Sequence, residues 1–186
     1  MSDAELVARA RSGDRAAFDE LVARHQDAVY RTALAALGSP ADAEDVAQES
    51  FFAAFRKLGK FREASSFKTW LLAITWHRAI DRRRSARQWL RRLVVGEADN
   101  WPEPAQPGGS VEERLADREL KAHVRRLVRR LPAKYRDVLL LAAAGDHTMD
   151  EIGAALGVPA GTVKWRAMEA RRQLKRKLAA LGYSDE

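Results

Sequence analysis

The side chains able to act on something outside this chain are arginines and lysines set among aromatics, not acids, bases and thiols arranged for bond-making. There is no cysteine, so disulfide and thiolate chemistry are absent. His25, His77, His123 and His147 are scattered, and no H-E-x-x-H, P-loop or nucleophile elbow occurs. His77 and Asp81 share a helical face, but two ligands do not make a metal site, so neither a metal nor another cofactor is expected. Two stretches set cationic groups where they would meet nucleic acid. One is residues 148–178, TMDEIGAALGVPAGTVKWRAMEARRQLKRKL, and the other is residues 67–87, FKTWLLAITWHRAIDRRRSAR. Cations on a helix that follows a tight turn suit the phosphates and base edges of duplex DNA. Cations beside aromatic faces suit an unpaired strand, which stacks on rings and needs its backbone neutralised.

The first group needs a helix-turn-helix to position it. Thr148 and Glu151 form a T-x-x-E capping box. Ile152, Ala155 and Leu156 make an apolar stripe, and Gly157 supplies a left-handed stop. Pro159 then suits the opening of a second helix. Val163, Ala167, Ala170 and Leu174 are its inner face. That places Ala160, Gly161, Thr162, Lys164 and Trp165 near bases, with Arg166, Met168 and Glu169 one turn further in. A plain helical hairpin with a solvated basic face is the alternative.

The second group needs a helical bundle. A short helix is expected over residues 4–11. Asp14 caps a helix reaching Leu37, with Phe18, Leu21, Val22, Val29, Ala33 and Ala36 at helical spacing, and Gly38 ends it. Ser39 and Pro40 start a third helix running to about Leu58. Its inner stripe is Ala47, Phe51, Ala54, Phe55 and Leu58. A second stripe, Asp45, Gln48, Glu49, Phe52 and Arg56, sets one aromatic among polar groups. That arrangement fits either an interface anchor or an ordinary wet face with one stray ring. The loop GKFREASS leads into a fourth helix over residues 67–87, apolar almost all round in its first half, which exceeds what one buried stripe requires. Phe61, Phe67, Trp70 and Trp76 precede its arginines. They could equally stack on bases or fill a small core.

Residues 96–109, GEADNWPEPAQPGG, contain Pro102, Pro104 and Pro107, and no Lys or Arg occurs from Leu93 to Glu113. This reads as a flexible acidic linker, residues 93–111, between domains at residues 1–92 and 112–186. Ser110 and Glu113 form another capping box, opening a helix to about Arg130. Pro132 opens one more, over residues 133–144, stopped by Gly145. The fold class is all-α. In 186 residues the net charge is +7, and the pI near 10.0 favours a polyanionic partner. No apolar run approaches a membrane span and the N-terminus has no apolar signal core, so a cytoplasmic chain without membrane insertion is expected.

With these residues in view, the chain resembles the extracytoplasmic-function group of bacterial RNA polymerase sigma factors. AEDVAQESFFAAFRKL is similar to the family's polymerase-binding helix. FREASSFKTWLLAITWHRAIDRRR is similar to its promoter-melting and −10 stretch, and LPAKYRDVLLLAAAGDHTMDEIGAALGVPAGTVKWR to its −35 reader. Residues 14–88 look like region 2 and residues 112–180 like region 4. The resemblance implies that Asp45, Gln48, Glu49, Phe52 and Arg56 bind core polymerase at the β′ coiled coil, while the β flap is a further contact. It implies that Phe61, Ser65, Ser66, Phe67, Lys68, Trp70, Trp76, His77, Arg78, Asp81, Arg82 and Arg84 serve the −10 element. The loop from Phe61 to Phe67 would hold a base flipped from the non-template strand, and Asp81 would either touch DNA or orient Arg78 and Arg84.

For the −35 element the implied set is Thr148, Ala160, Gly161, Thr162, Lys164, Trp165, Arg166, Met168, Glu169 and Arg172. The linker would pass through the RNA-exit path, and an anti-sigma factor is an expected partner. His77 stands where many members carry asparagine, and Glu169 where a basic residue is common, so no promoter sequence carries over. Two other functions compete. A helix-turn-helix repressor would need a dimerisation surface or effector pocket, and neither is evident. An enzyme acting on DNA would need a catalytic constellation.

Overall fold

The computed structural model describes residues 1–62, 64–93, 111–145 and 147–183, with side chains described outside 87–93 and 111–118. Among them are eight α-helices and one 3-10 turn: α1 Asp3–Arg11, α2 Arg15–Leu37, α3 Pro40–Lys57, the 3-10 turn Leu58–Lys60, α4 Phe67–Leu93, α5 Val111–Arg129, α6 Ala133–Ala143, α7 Met149–Leu156 and α8 Ala160–Ala179. No helix among the described residues is long and apolar enough to cross a membrane. The expected linker lies outside the described residues from 94 to 110, as does the Ser110 cap.

Local chemistry sets the helix ends. Ser2 and Glu5 form a capping box on α1, the Ser2 amide donating to Glu5 Oε2 at 2.7 Å. Asp14 accepts from the Ala17 amide at 3.2 Å to start α2. Gly38, with φ +73°, closes that helix in the left-handed conformation. One residue later Ser39 accepts from the Asp42 amide at 3.3 Å to start α3. These close-set caps and stops turn α2 and α3 back against each other. At the other end of α3, the Arg11 guanidinium donates to the carbonyls of Leu58 and Phe61 and pins the turn into the next loop.

One core cluster is built from α1 to α4 around Leu6, Val7, Leu21, Val29, Ala54 and Leu71. A second joins both halves of the chain: Ala33, Ala43, Val46, Trp76 and Ala79 cluster with Val138, Leu141, Ile152, Ala155, Val163 and Ala167. Helix α4 packs against α2 and α3 on one side and α7 on another, which explains why its first half is apolar nearly all round. It also runs to Leu93, beyond the expected end near Arg87. Polar links frame the joint. Lys68 pairs with Glu151 at 3.0 Å and Arg83 with Asp137 at 3.3 Å. Thr32 Oγ1 donates to the Ala28 carbonyl at 2.8 Å and meets His147 Nε2 at 3.1 Å.

The helix-turn-helix depends on a glycine that its caps do not reveal. A Cβ on Gly153 would lie 2.6 Å from the Val158 carbonyl oxygen, while the Val158 amide donates to the Gly153 carbonyl at 2.9 Å. The backbones of α7 and of the turn therefore touch. Gly153→Ala is expected to lower stability by about 2 kcal/mol through overpacking, read as a lower midpoint in urea. An unchanged midpoint would mean that α7 can shift to make room.

Candidate nucleic-acid interface

Helix α7 starts from the capping box expected of it. Glu151 Oε2 accepts from the Thr148 amide at 2.8 Å, and Thr148 Oγ1 from the Glu151 amide at 3.1 Å. Burial pushes the Glu151 carboxyl up, but the Thr148 amide and Lys68 outweigh it, and the group lies below its ordinary value. Gly157, at φ +67°, makes the turn. Val163, Ala167 and Ala170 are buried, so the opposite face of α8 is presented outward. Gly161, Lys164, Trp165, Met168 and Arg172 are exposed, while Ala160, Thr162, Arg166 and Glu169 are half-buried. Trp165 and Met168 are 51% and 61% exposed, an unusual display of apolar surface on a basic helix.

Glu169 is not a free anion on that face. Arg172 grips it with Nε at 2.9 Å and Nη2 at 3.1 Å, and Gln173 donates to it at 2.9 Å. The Arg172 and Gln173 hydrogen bonds hold its carboxyl below the usual range. The repulsion that a lone glutamate would offer to phosphate is thereby offset.

The second surface runs along α3 and α4. An open groove of about 800 Å³ is lined by Trp70, His77, Arg78, Asp81 and Arg82 from α4 and by Glu49 from α3. His77 Nδ1 donates to the Ala73 carbonyl at 2.6 Å. In a neutral ring that bond leaves Nε2 as an acceptor, where an asparagine would offer both a donor and an acceptor. Asp81 pairs with Arg84 at 3.8 Å, whereas Arg78 turns to Glu49 at 3.1 Å. Of the two partners expected for Asp81, it takes one.

Asp45, Gln48, Glu49, Phe52 and Arg56 are all exposed on α3. Phe52 is 64% exposed with the Arg56 guanidinium 5.8 Å from its ring centre. Phe55, expected on the inner stripe, is 46% exposed and meets Phe18 edge-on at 5.0 Å. The bundle closes at Ala54 and Leu58, so Phe55 falls at its rim and extends the apolar surface beside Phe52.

The aromatics before the arginines behave differently from one another. Phe61, Phe67 and Trp76 are 6%, 3% and 3% exposed and serve as core. In this conformation they present no stacking face. Trp70 is half-buried, its ring 5.0 Å from Phe61 and 6.0 Å from Phe67, and it reaches the groove. The His25 ring lies 5.6 Å from Phe67 and its Nε2 2.7 Å from Asp3 Oδ2, so α1 braces this cluster through α2. Ser65 and Ser66 are exposed, and Ser66 Oγ accepts from the Thr69 amide at 3.1 Å to start α4. Lys68 is turned to Glu151 of α7.

Sequence reasoning missed Asp42, which joins Asp45 and Glu49 in pairing with Arg82. The signal was present: carboxylates at i, i+3 and i+7 on α3 match arginines at i and i+4 on α4.

Residues 21–90 match the family Sigma-70 region 2, and residues 122–174 match Sigma-70, region 4. The ECF RNA polymerase sigma factor SigW of Bacillus subtilis is 31% identical over 179 residues, covering 94% of this chain and 96% of its own. The chain is an extracytoplasmic-function sigma factor. SigM of Mycobacterium tuberculosis is likewise 32% identical over 97% of this chain and 86% of its own length. Among solved structures, CnrH in complex with the cytosolic domain of CnrY superimposes with a TM-score of 0.66 at 28% identity, over 96% of this chain and 97% of that one. The sigma factor RpoE of Bartonella quintana, solved with the anti-sigma factor NepR, shares the fold with a TM-score of 0.65 at 23% identity, over 87% and 96% of the two chains. As a sigma factor, the protein directs RNA polymerase to promoters. The α3–α4 groove falls in region 2, and the outward face of α8 in region 4.

Proposed function

We propose that this sigma factor engages core polymerase through the exposed stripe of α3, reads the −35 duplex with α8, and receives the unpaired −10 strand in the α3–α4 groove. Asp45, Gln48, Glu49, Phe52 and Arg56 meet the β′ coiled coil, and region 4 meets the β flap. Lys164, Trp165, Arg166, Met168 and Arg172 enter the major groove, with Ala160, Gly161 and Thr162 near the base edges. His77, Arg78 and Arg82 contact the melted strand, Trp70 offers the stacking edge, and Ser65 and Ser66 border the flipped base. The protein carries no chemistry of its own, and it works in the cytoplasm, where polymerase and promoters are. An anti-sigma factor holds it in reserve; the solved relatives CnrH and RpoE are each in complex with a second protein.

The observation that carries this reading is the 64% exposed Phe52 within a polar stripe that borders a basic groove. Such a ring is stable in water but gains most when a partner covers it. The test is co-elution with core polymerase, followed by transcription from a pool of genomic fragments. The double variant Glu49→Lys, Phe52→Ala is expected to lose polymerase binding by at least about a hundredfold, as for a hot spot plus a reversed charge. Its helical circular dichroism should be unchanged. Undiminished binding would remove the assignment of α3 to polymerase.

A further inference from the structure

The two region 2 surfaces meet in one residue. Arg82 donates from Nε to Asp42 Oδ1 at 3.1 Å, from Nη2 to Asp45 Oδ2 at 2.8 Å, and from Nη1 to Glu49 Oε1 at 3.4 Å. Glu49 Oε2 also accepts from Arg78 Nη1 at 3.1 Å. Each nitrogen of the Arg82 guanidinium is therefore directed at a carboxylate of α3. The five groups together, three carboxylates against two guanidinium ions, carry a local charge of −1. A nucleic-acid phosphate approaching Arg78 and Arg82 meets guanidinium groups already engaged by carboxylates of its own sign.

We infer that Asp42, Asp45 and Glu49 hold Arg78 and Arg82 in reserve, and that core polymerase releases them to the unpaired strand when it takes Asp45 and Glu49. This rests on the proposed roles of α3 and α4. Asp42, Asp45 and Glu49 are positioning residues in this scheme, and Arg78 and Arg82 touch the strand. The arrangement suits exchange, because the carboxylates are about half exposed. Exposed ion pairs are individually weak and yield to a better partner. A cationic surface on polymerase would compete for the carboxylates, and the freed guanidinium groups could then form charge-assisted bonds to phosphate. Polymerase binding and −10 engagement become coupled, with no movement required of either helix.

The test uses the full chain without polymerase and a fluorescein-labelled single-stranded 20-mer pool of randomised sequence. Asp42→Asn alone, which keeps the side chain's shape, is expected to bind the pool about threefold more tightly than the parent. Asp42→Asn, Asp45→Asn, Glu49→Gln together should gain about tenfold. Adding Arg82→Ala should erase most of either gain. The charge-matched control is Asp19→Asn, Asp27→Asn, Glu44→Gln, whose carboxylates make no pair with Arg78 or Arg82. An equal gain in that control, or a gain that survives Arg82→Ala, would overturn the inference, as would no gain from folded Asp42→Asn. Arg82→Ala in the polymerase complex separates this from the underlying reading. If it opens promoters as well as the parent, the −10 role of Arg82 falls and the inference with it. If opening is lost while the carboxylate variants gain nothing, the groove assignment stands and the reserve alone is refuted.

Discussion

Bridging Arg83→Cys to Asp137→Cys with a short reducible bis-thiosulfonate linker is expected to drive promoter-dependent transcription to background, and dithiothreitol should restore it. The native chain has no cysteine, so the bridge is specific. The two positions are partly exposed and ion-paired at 3.3 Å across the joint between the halves. The argument is one of length. Elements named for positions −35 and −10 lie about 25 base pairs apart, or about 85 Å of B-form duplex at 3.4 Å per step. A compact chain of 186 residues has a radius of gyration of only about 16 Å, hence a diameter of about 40 Å. With α7 packed on α4, α8 and the groove cannot both reach their elements. Each single-cysteine variant, treated alike, should remain active. A bridged protein that transcribes as fast as its reduced form would show that both elements are read without opening.

Trp76→Ala should cost about 3–5 kcal/mol, the usual range for truncating a buried large aromatic, and lower the melting temperature by about 10 °C for a chain of this length. The indole is 3% exposed and packs in the cluster that joins α2, α3 and α4 to α6, α7 and α8. Its loss would leave a cavity at the joint itself. Any promoter-opening defect in this variant therefore has to be read beside a thermal melt. A melting temperature equal to the parent's, together with weakened single-strand binding, would instead place Trp76 on the strand.

Much of this was legible in the sequence because helix ends are local. Thr148 with Glu151, Asp14, Ser39 before Pro40, and the left-handed Gly38 and Gly157 all fall where capping chemistry put them. What periodicity could not decide was which neighbour covers a stripe. Phe55 has the spacing of a core residue, yet the bundle ends beneath it. Trp76 and Lys68 sit in a stretch suited to nucleic acid, yet in this fold they face α6 to α8. Both outcomes depend on contacts between residues more than 50 positions apart. The apolar surplus of α4 was the one sequence trace of the joint, and it named no partner. Gly153 was similarly opaque, since only the fold shows the Val158 carbonyl beside it.

The joint also has a consequence for gene dosage. Its two faces belong to one chain, so closure is an intramolecular equilibrium with a fixed effective concentration. Making more of the protein raises the number of open and closed molecules in proportion, without altering their ratio. Among copies not held by an anti-sigma factor, polymerase-competent molecules therefore rise linearly with the amount made, whereas a dimeric lock would have shut progressively as the protein accumulated.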